Sequence, residues 1–429
     1  MGYRINSAGQ IKLIFVLATI FLLSCAEVLQ EPTPLPTETA VIKQVEPTVV
    51  IDITPEREIE PTPAPILANL GTIQIGYMGP LTGGASFVGM EQMGFVKTVA
   101  KIFSEQTGLD IEIIEADTEI NPETGVAVAN RFVNDPDIVA VIGPAGSQVC
   151  EATLPIFESA NLAHITPSCT KTDLTNPGTA TFFRPIPTDA DQSRTLAAHM
   201  IVATKIRTLF IVEDQSSYAA VLSDELTLLL NDSGIRIRRM SIDQGETDFS
   251  SIADAVISAD SDAVFMVAQL EQQTGALAQE LNSKGYTGFY YLPDSGFSSG
   301  WIDIAGNGAE GAYVSFFSPD PNLVPEAAHY NEAYAAEYGP EFGAFGGAGG
   351  LATQVLLKAI EACARTENMS RDCVTNELRF IEMRNTMLGI PIKFDERNQS
   401  EGGFSLFQIQ NGSFELLAGA GDPGSVVNR

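Results

Sequence analysis

The stretch IGYMGPLTGG, residues 75–84, joins an apolar segment to a glycine-rich turn. Residues 72–78 are predicted to form a strand, and residues 89–106, after the turn, have the amphipathic pattern of a helix. The same alternation continues along the chain, with strands predicted at 110–116, 139–143 and 163–166 and helices at 122–133 and 147–160. Strands that alternate with helices predict a parallel sheet with helices on both faces.

A second series of the same kind begins at residue 208. Its predicted strands are 208–213, 236–242, 263–268 and 289–292, and its predicted helices are 219–231, 249–259 and 272–284. Two successive α/β series of similar size predict two lobes, which suits a chain of 429 residues. The tail differs, because short strands are predicted at 392–394, 404–409 and 414–417, with Asn411-Gly412 as a hairpin turn.

Residues 1–25 have the features of an export signal. A positively charged start precedes an uncharged apolar run at 13–23, which is too short to span a bilayer comfortably. The sequence Leu22-Leu23-Ser24-Cys25 resembles the lipobox of bacterial lipoproteins, which implies that Cys25 is acylated. A plain secretory signal that is cleaved nearby is the alternative interpretation.

Residues 26–68 are rich in Pro, Thr and Glu. Proline at this density prevents helix and sheet, and the low hydrophobicity prevents formation of a core. We interpret the segment as a semi-extended tether that lets a folded domain reach away from the membrane.

The formal net charge of −30 excludes several classes of function. Nucleic acids and anionic lipids are disfavoured as partners, since both require clustered Lys and Arg. Three widely spaced histidines, with no Cys-x-x-Cys nearby, make a zinc site improbable. We predict neither a metal nor a cofactor, and the acidity is explained by solubility.

Several stretches together resemble the type I periplasmic solute-binding proteins, in particular the branch of branched-chain (Leu/Ile/Val) amino acid receptors of ABC transporters. The resemblance covers residues 70–417, and its order and spacing are specific although each stretch alone is weak. The stretches are IGYMGPLTG at 75–83, VAVAN at 126–130, VIGP at 141–144 with Ser147, LPIF at 154–157, ITPSCT at 165–170, FFR at 182–184, and IAG at 304–306 with Glu310-Gly311.

The resemblance implies two Rossmann-like lobes that are joined by three crossovers, with the ligand in the cleft between them. By analogy the crossovers fall near residues 188, 317 and 391. Lobe 1 is then 69–188 plus 318–391, and lobe 2 is 189–317 plus 392–429.

Three residues of lobe 1 are candidates for binding the α-carboxylate and α-ammonium of an amino acid. Ser147 begins a helix after a strand and a turn, where free N–H groups and positive partial charge suit a carboxylate. Ser168 and Thr170 lie in the turn after the next strand, at the edge of a parallel sheet where such folds bind ligands. The resemblance assigns all three to the ligand. Without it, Ser147 reads as a simple helix N-cap and the other two as turn residues.

Lobe 2 supplies further candidates by the same resemblance. Asp294 follows a predicted strand, at the position where the family has an acidic residue that binds the ammonium. Tyr218 is at the position of an aromatic residue that contacts the ligand from lobe 2 in the family. In lobe 1, Phe87 and Val88 occupy the first turn, where the family often has tyrosine. Gln269 departs from the leucine-type receptors, which have an aromatic residue there, and this leaves the side-chain preference of the site open.

Five cysteines are present, and acylation of Cys25 would leave an even number in an oxidising compartment. Cys363 and Cys373 close a short loop between two predicted helical segments. If the segments that contain Cys150 and Cys169 line one cleft, these two sulfurs come close. We therefore predict the disulfides Cys150–Cys169 and Cys363–Cys373; the family's usual disulfide would fall at Ile120 and Gly146, and both cysteines are missing there.

The sequence contains no motif for nucleophile, base or phosphate binding, which argues against an enzyme. The resemblance implies a monomeric, lipid-anchored extracytoplasmic receptor that closes on a small solute and delivers it to an ABC permease. The expected ligand is a branched-chain or related amino acid. Relatives that bind amides, urea or aromatic acids, and a sensor of the same fold that is not coupled to transport, are the alternatives.

Overall fold

The computed structural model of the chain describes residues 70–175 and 179–418. The predicted export signal (1–25), the tether (26–68) and Cys25 lie outside the described residues. Within them, every helix is too short or too polar to cross a membrane.

The described residues form alternating strands and helices from residue 72 onward. The strands are β1 (Thr72–Gly79), β2 (Asp110–Asp117), β3 (Ile138–Ile142), β4 (His164–Ile165), β5 (Phe182–Phe183), β6 (Thr208–Asp214), β7 (Arg236–Ile242), β8 (Ala263–Val267), β9 (Phe289–Leu292), β10 (Tyr313–Phe316), β11 (Glu382–Met383), β12 (Ile392–Lys393), β13 (Ser405–Gln410) and β14 (Ser413–Ala418). The helices are α1 (Ser86–Thr107), α2 (Pro122–Asn134), α3 (Ser147–Ser159), α4 (Asp189–Ala198), α5 (Ser217–Leu230), α6 (Ser250–Ser258), α7 (Glu271–Ser283), α8 (Ser299–Ala305), α9 (Ala328–Tyr338), α10 (Ala344–Arg365) and α11 (Arg371–Arg379).

The strands form two main sheets, one in each lobe. The first has the order β2-β1-β3-β4-β5, and all its strands are parallel. The second has the order β14-β13-β10-β9-β8-β6-β7; the strands β6 to β10 are parallel, and β13 and β14 join as an antiparallel hairpin at the β10 edge. Both lobes are therefore α/β layers around parallel strands, as predicted.

Helix α10 packs against α1 beside the first sheet, although the two are far apart in sequence. A Cβ atom on Gly349 of α10 would lie 2.8 Å from both the Cα and the carbonyl oxygen of Gln92 in α1. Only glycine permits this close approach of the two helices. The result is a buried core that includes Phe95, Leu351 and Val355.

The chain passes between the lobes three times. It leaves the first sheet after β5 and enters α4, returns after β10 into α9, and leaves again between β12 and β13. The first and third passages run side by side, because the Arg184 N–H donates to the Asn398 carbonyl (3.0 Å) and the Ser400 N–H donates to the Arg184 carbonyl (3.0 Å).

The element predictions for residues 72–292 agree with the structure to within a few residues at each end. The strand predicted at 392–394 is β12, which pairs with β11 in a separate two-stranded sheet. Ile392 and Phe394 pack in the core of the first lobe, which explains this placement. The hairpin at Asn411-Gly412 joins β13 and β14 as predicted.

Candidate ligand-binding site

A small cavity of about 40 Å³ lies where the carboxyl ends of the strands of both sheets face each other. The first lobe contributes residues from α1, α3, α10 and the loops after β2 and β4, and the second lobe contributes residues from α5 and the loops after β8 and β9. Its lining consists of Val88, Ile120, Gly146, Ser147, Ser168, Tyr218, Gln269, Asp294, Ser295 and Phe345. Five of the seven predicted ligand residues are among them.

A larger cavity of about 520 Å³ lies at the opposite end of the second sheet, near the starts of β6, β8 and β9. Its charged groups include Arg207 and Asp262, which form an ion pair with each other (3.5 Å). We take the smaller cavity as the candidate site because polar groups from both lobes are buried around it.

Ser147 is the first residue of α3 and is 2% exposed. Its hydroxyl accepts a hydrogen bond from the Lys171 N–H (3.2 Å), so the side chain connects α3 to the loop after β4 instead of capping its own helix. The N-cap is Gly146, whose φ of 86° and whose closeness to the Ile120 side chain exclude a larger residue. The free N–H groups of the first turn of α3 therefore point toward the cavity end of the helix.

Ser168 and Thr170 occupy different depths. Ser168 is half-buried and lines the cavity. Thr170 is fully buried behind it, where its carbonyl accepts the Asp189 N–H (2.8 Å) and its hydroxyl lies against the Asp189 carboxyl. Thr170 thus supports the site from behind and does not contribute to the cavity wall.

Asp294 is the acidic residue at the second-lobe side of the cavity and is 5% exposed. Its Oδ1 accepts hydrogen bonds from the Tyr218 hydroxyl (2.8 Å) and from Nε2 of Gln192 (2.9 Å). Burial raises the pKa of Asp294 to about 6, although these two hydrogen bonds act in the opposite direction. Burial also raises the pKa of Tyr218 well above its usual value, as do the charges of Asp294 and Asp189, so the phenol remains a donor.

Asp189, which sequence reasoning did not select, lies behind the cavity and is fully buried. Burial raises the pKa of this carboxyl well above its usual range; the Thr170 hydroxyl lowers it and the nearby Asp294 raises it. Two acidic side chains therefore share one buried region, which favours a bound cation. The signal in the sequence was Thr188-Asp189-Ala190-Asp191, whose threonine caps α4 and places Asp189 in the first turn.

The neighbouring residues Phe87 and Val88 contact different surroundings. Val88 lines the cavity, whereas Phe87 turns toward Phe345, with ring centroids 5.8 Å apart. Phe345 itself lines the cavity from the start of α10 and was missed, because the sequence pattern does not show that α10 returns to this position. Gln269 lines the cavity, and it forms hydrogen bonds with Gln148 across the cleft.

The structure contains both predicted disulfides, Cys150–Cys169 and Cys363–Cys373. The first joins the first turn of α3 to the loop after β4, directly beside Ser147 and Ser168. The second joins the end of α10 to the first turn of α11. Among the described residues, no group of three or more His, Cys, Asp and Glu side chains is placed to hold a metal ion.

A sequence profile for periplasmic binding proteins matches residues 72–413, which is most of the chain. The chain belongs to the periplasmic binding protein family. The profile spans the first sheet, the second sheet up to the start of β14, and all residues that line the cavity.

Known relatives of this periplasmic binding protein have low sequence identity to it, but the similarity extends over most of the chain. It is 24% identical over 275 residues to an "Amino acid binding protein" of Pseudomonas aeruginosa, covering 62% of this chain and 72% of that protein. It is also 24% identical over 349 residues to "Leu/Ile/Val-binding protein homolog 3" of Brucella melitensis, covering 80% and 93%.

Solved structures show the same fold. A leucine binding protein from Thermotoga maritima superimposes with a TM-score of 0.73 at 24% identity, covering 81% of this periplasmic binding protein and 98% of that chain. A fatty acid ABC transporter substrate-binding protein from Thermomonospora curvata has the same TM-score at 17% identity, covering 86% and 96%. Because proteins that are named for different ligands share this fold, the fold alone does not define the ligand.

Proposed function

We propose that this chain is the substrate-binding protein of an ABC transporter and that it captures an amino acid of the branched-chain or related class. The observation that carries the proposal is the arrangement of opposite charges across one cavity. Ser147 at the start of α3 lies on one side, and Asp294 with Tyr218 lies on the other. An amino acid carries a carboxylate and an ammonium that match these two sides.

The carboxylate is assigned to the first-lobe side. The first turn of α3 has free N–H groups and positive partial charge, and the Ser147 hydroxyl lies there. Ser168 lines the same cavity from the loop after β4. The disulfide Cys150–Cys169 keeps the two segments together.

The ammonium is assigned to Asp294. Burial removes water from this carboxylate. A bound ammonium takes the place of that water by donating a charge-assisted hydrogen bond. Tyr218 and Gln192 hold the carboxylate in place through its Oδ1, which leaves its second oxygen for the ligand. Asp189 adds negative charge behind the site.

Binding is proposed to close the cleft by a hinge. Because the two ends of an amino acid contact different lobes, the ligand stabilises the closed arrangement over the open one. We propose 69–188 plus 318–391 as lobe 1 and 189–317 plus 392–429 as lobe 2. Since Ile392 and Phe394 still pack with lobe 1, the last hinge segment extends toward β13.

The names of relatives support this class of ligand. The proteins from Pseudomonas aeruginosa and Brucella melitensis are named for amino acids or for leucine, isoleucine and valine. The proposal assigns no catalytic step to the chain, and the ligand would be released unchanged to a membrane permease.

A thermal-shift panel of amino acids, amides and organic acids, followed by calorimetry on each hit, tests the proposed ligand class. Binding to the folded state raises Tm. We expect a shift with small or branched aliphatic amino acids that disappears in Ser147→Ala and in Asp294→Ala. Asp303→Ala, which removes an exposed aspartate of α8, serves as the matched control.

Two other outcomes of the panel would change the assignment. A shift only with ligands that lack an α-ammonium, such as amides, urea or aromatic acids, would remove the role of Asp294. The absence of any shift would favour a sensor or a partner-binding protein of the same fold.

The lipid anchor is a separate part of the proposal, and it rests on the lipobox-like sequence before Cys25. We expect cells that express the full chain to incorporate a labelled fatty acid into it and to retain it with their membranes. Cys25→Ser should abolish the labelling and release the protein. Labelling that persists in Cys25→Ser would place the lipid elsewhere or contradict the anchor.

A further inference from the structure

Two glutamines join the lobes by a reciprocal pair of hydrogen bonds. Nε2 of Gln148 donates to Oε1 of Gln269 (2.6 Å), and Nε2 of Gln269 donates to Oε1 of Gln148 (2.9 Å). Gln148 belongs to α3 of the first lobe, and Gln269 follows β8 in the second. The pair therefore spans the cleft directly.

Further hydrogen bonds fix each member of the pair. Nε2 of Gln148 also donates to the Ile120 carbonyl (3.1 Å), and Oε1 of Gln269 also accepts from Nε2 of Gln244 (3.3 Å). The Gln269 N–H donates to Oδ2 of Asp214 (3.0 Å). Because Gln269 is only 6% exposed, its amide depends on these partners and not on water.

Gln269 forms part of the wall of the ligand cavity, and Gln148 lies behind it. Ile120, Val88 and Phe345 line the same space. The cavity of about 40 Å³ has room for about three water molecules, so a large ligand side chain does not fit beside Gln269 in this arrangement. A long ligand side chain must therefore push the two amides apart.

We propose that the Gln148–Gln269 pair determines side-chain selectivity, by admitting short side chains such as that of alanine and penalising the long aliphatic side chain of leucine. Leucine methyl groups that separate the amides would leave the amide of Gln269, which is only 6% exposed, without its Gln148 partner. A site built from paired polar groups rejects a ligand that cannot replace the lost hydrogen bonds. The inference rests on the proposed function, since it assumes that the cavity binds an amino acid by its α-groups.

Calorimetry with alanine, valine and leucine tests the selectivity on the full-length protein in detergent, comparing wild type with Gln148→Ala/Gln269→Ala. Wild type should bind alanine at least about tenfold more tightly than leucine. The double variant removes the amides and opens space, so the ratio of the two affinities should fall toward one. Gln74→Ala is the matched control, because Gln74 bonds to Glu112 on the exposed sheet and should leave the ratio unchanged.

The ratio is measured within each variant, so a general loss of stability does not affect it, and the wild-type ratio tests the inference even if the double variant fails to fold. Wild type that prefers leucine, or a ratio that is the same in the double variant, would overturn the inference while leaving amino acid binding intact. Failure of wild type to bind any amino acid would overturn the proposed function itself, and this inference with it.

Discussion

Burial and ligand binding favour opposite charge states of the Asp294 side chain. The ligand needs its carboxylate charged, yet burial raises its pKa to about 6 from an ordinary 3.8. The folded protein therefore binds this proton more tightly than the unfolded chain does. It follows that the contribution of Asp294 to folding stability is greatest at low pH and is lost as the pH rises through about 6.

Asp294→Asn should separate the effect of this side chain on folding stability from its effect on ligand binding. The amide can still accept hydrogen bonds from Tyr218 and Gln192, and it removes a buried charge. We expect the ligand-free variant to be more stable than wild type at pH 7.5 by about 1–3 kcal/mol, and to lose amino acid binding. Differential scanning fluorimetry and calorimetry measure the two effects.

The pH dependence provides a check on the same residue. The affinity of wild type for an amino acid should weaken below about pH 6, since a proton then competes with the ammonium for Asp294. An Asp294→Asn protein that melts at a lower temperature than wild type, or wild-type affinity that is constant from pH 7.5 to pH 5, would contradict this account.

Some residues of the site could be predicted from the sequence because topology fixes their position. Ser147, Ser168, Gln269 and Asp294 each follow closely after a parallel strand, and the ends of such strands meet at one edge. Phe345 could not be predicted in this way. Its position depends on α10 packing against α1, which is a contact between distant segments.

At the scale of elements, the disulfide Cys150–Cys169 holds α3 against the loop after β4. It connects residues 19 apart in sequence, and a loop of this size is worth about 3 kcal/mol of stability. Cys150→Ala/Cys169→Ala should therefore lower the free energy of unfolding by about 2–4 kcal/mol, and it should also weaken ligand binding, because Ser147 and Ser168 lose their fixed separation. Urea denaturation and calorimetry measure the two quantities.

The second disulfide offers the matched comparison. Cys363–Cys373 lies between α10 and α11, and neither cysteine lines the cavity. Cys363→Ala/Cys373→Ala should lower stability by a similar amount and leave the affinity unchanged. Equal losses of affinity in both double variants would show that the effect is one of general stability.

Several elements were not predicted from the sequence. Apart from the helical segments that flank the loop between Cys363 and Cys373, residues 293–391 receive no element prediction, and β5 and α4 receive none either. The first turns of α10 contain four glycines, which disfavour a helix in isolation. Packing against α1 stabilises this helix, and a contact of that kind is not visible in the local pattern.

At the scale of the whole molecule, Arg184 joins segments at the proposed hinge. It is fully buried; its Nε donates to Gln399 (2.5 Å), and its Nη1 donates to the carbonyls of Lys171 (2.6 Å) and Cys169 (3.2 Å). The guanidinium thus joins the third passage between lobes to the loop that carries Ser168. The ligand site and the hinge are connected through one side chain.

Closure is expected to be visible in solution. Small-angle X-ray scattering should show a smaller radius of gyration when a saturating ligand is added to wild type, since the ligand favours the closed arrangement. Asp294→Asn should show no change with the same ligand. An unchanged radius for wild type, under conditions where calorimetry shows full occupancy, would contradict the hinge mechanism.

The hairpin β13–β14 has a consequence for how the protein is made. These strands complete the second sheet, but they come from residues 405–418, at the end of the described chain. A polypeptide that crosses a membrane with its amino end first delivers them last. Until then β10 is a bare sheet edge that can pair with other chains. If the chain is exported as we propose, it can aggregate through this edge until β13 and β14 emerge and cover it.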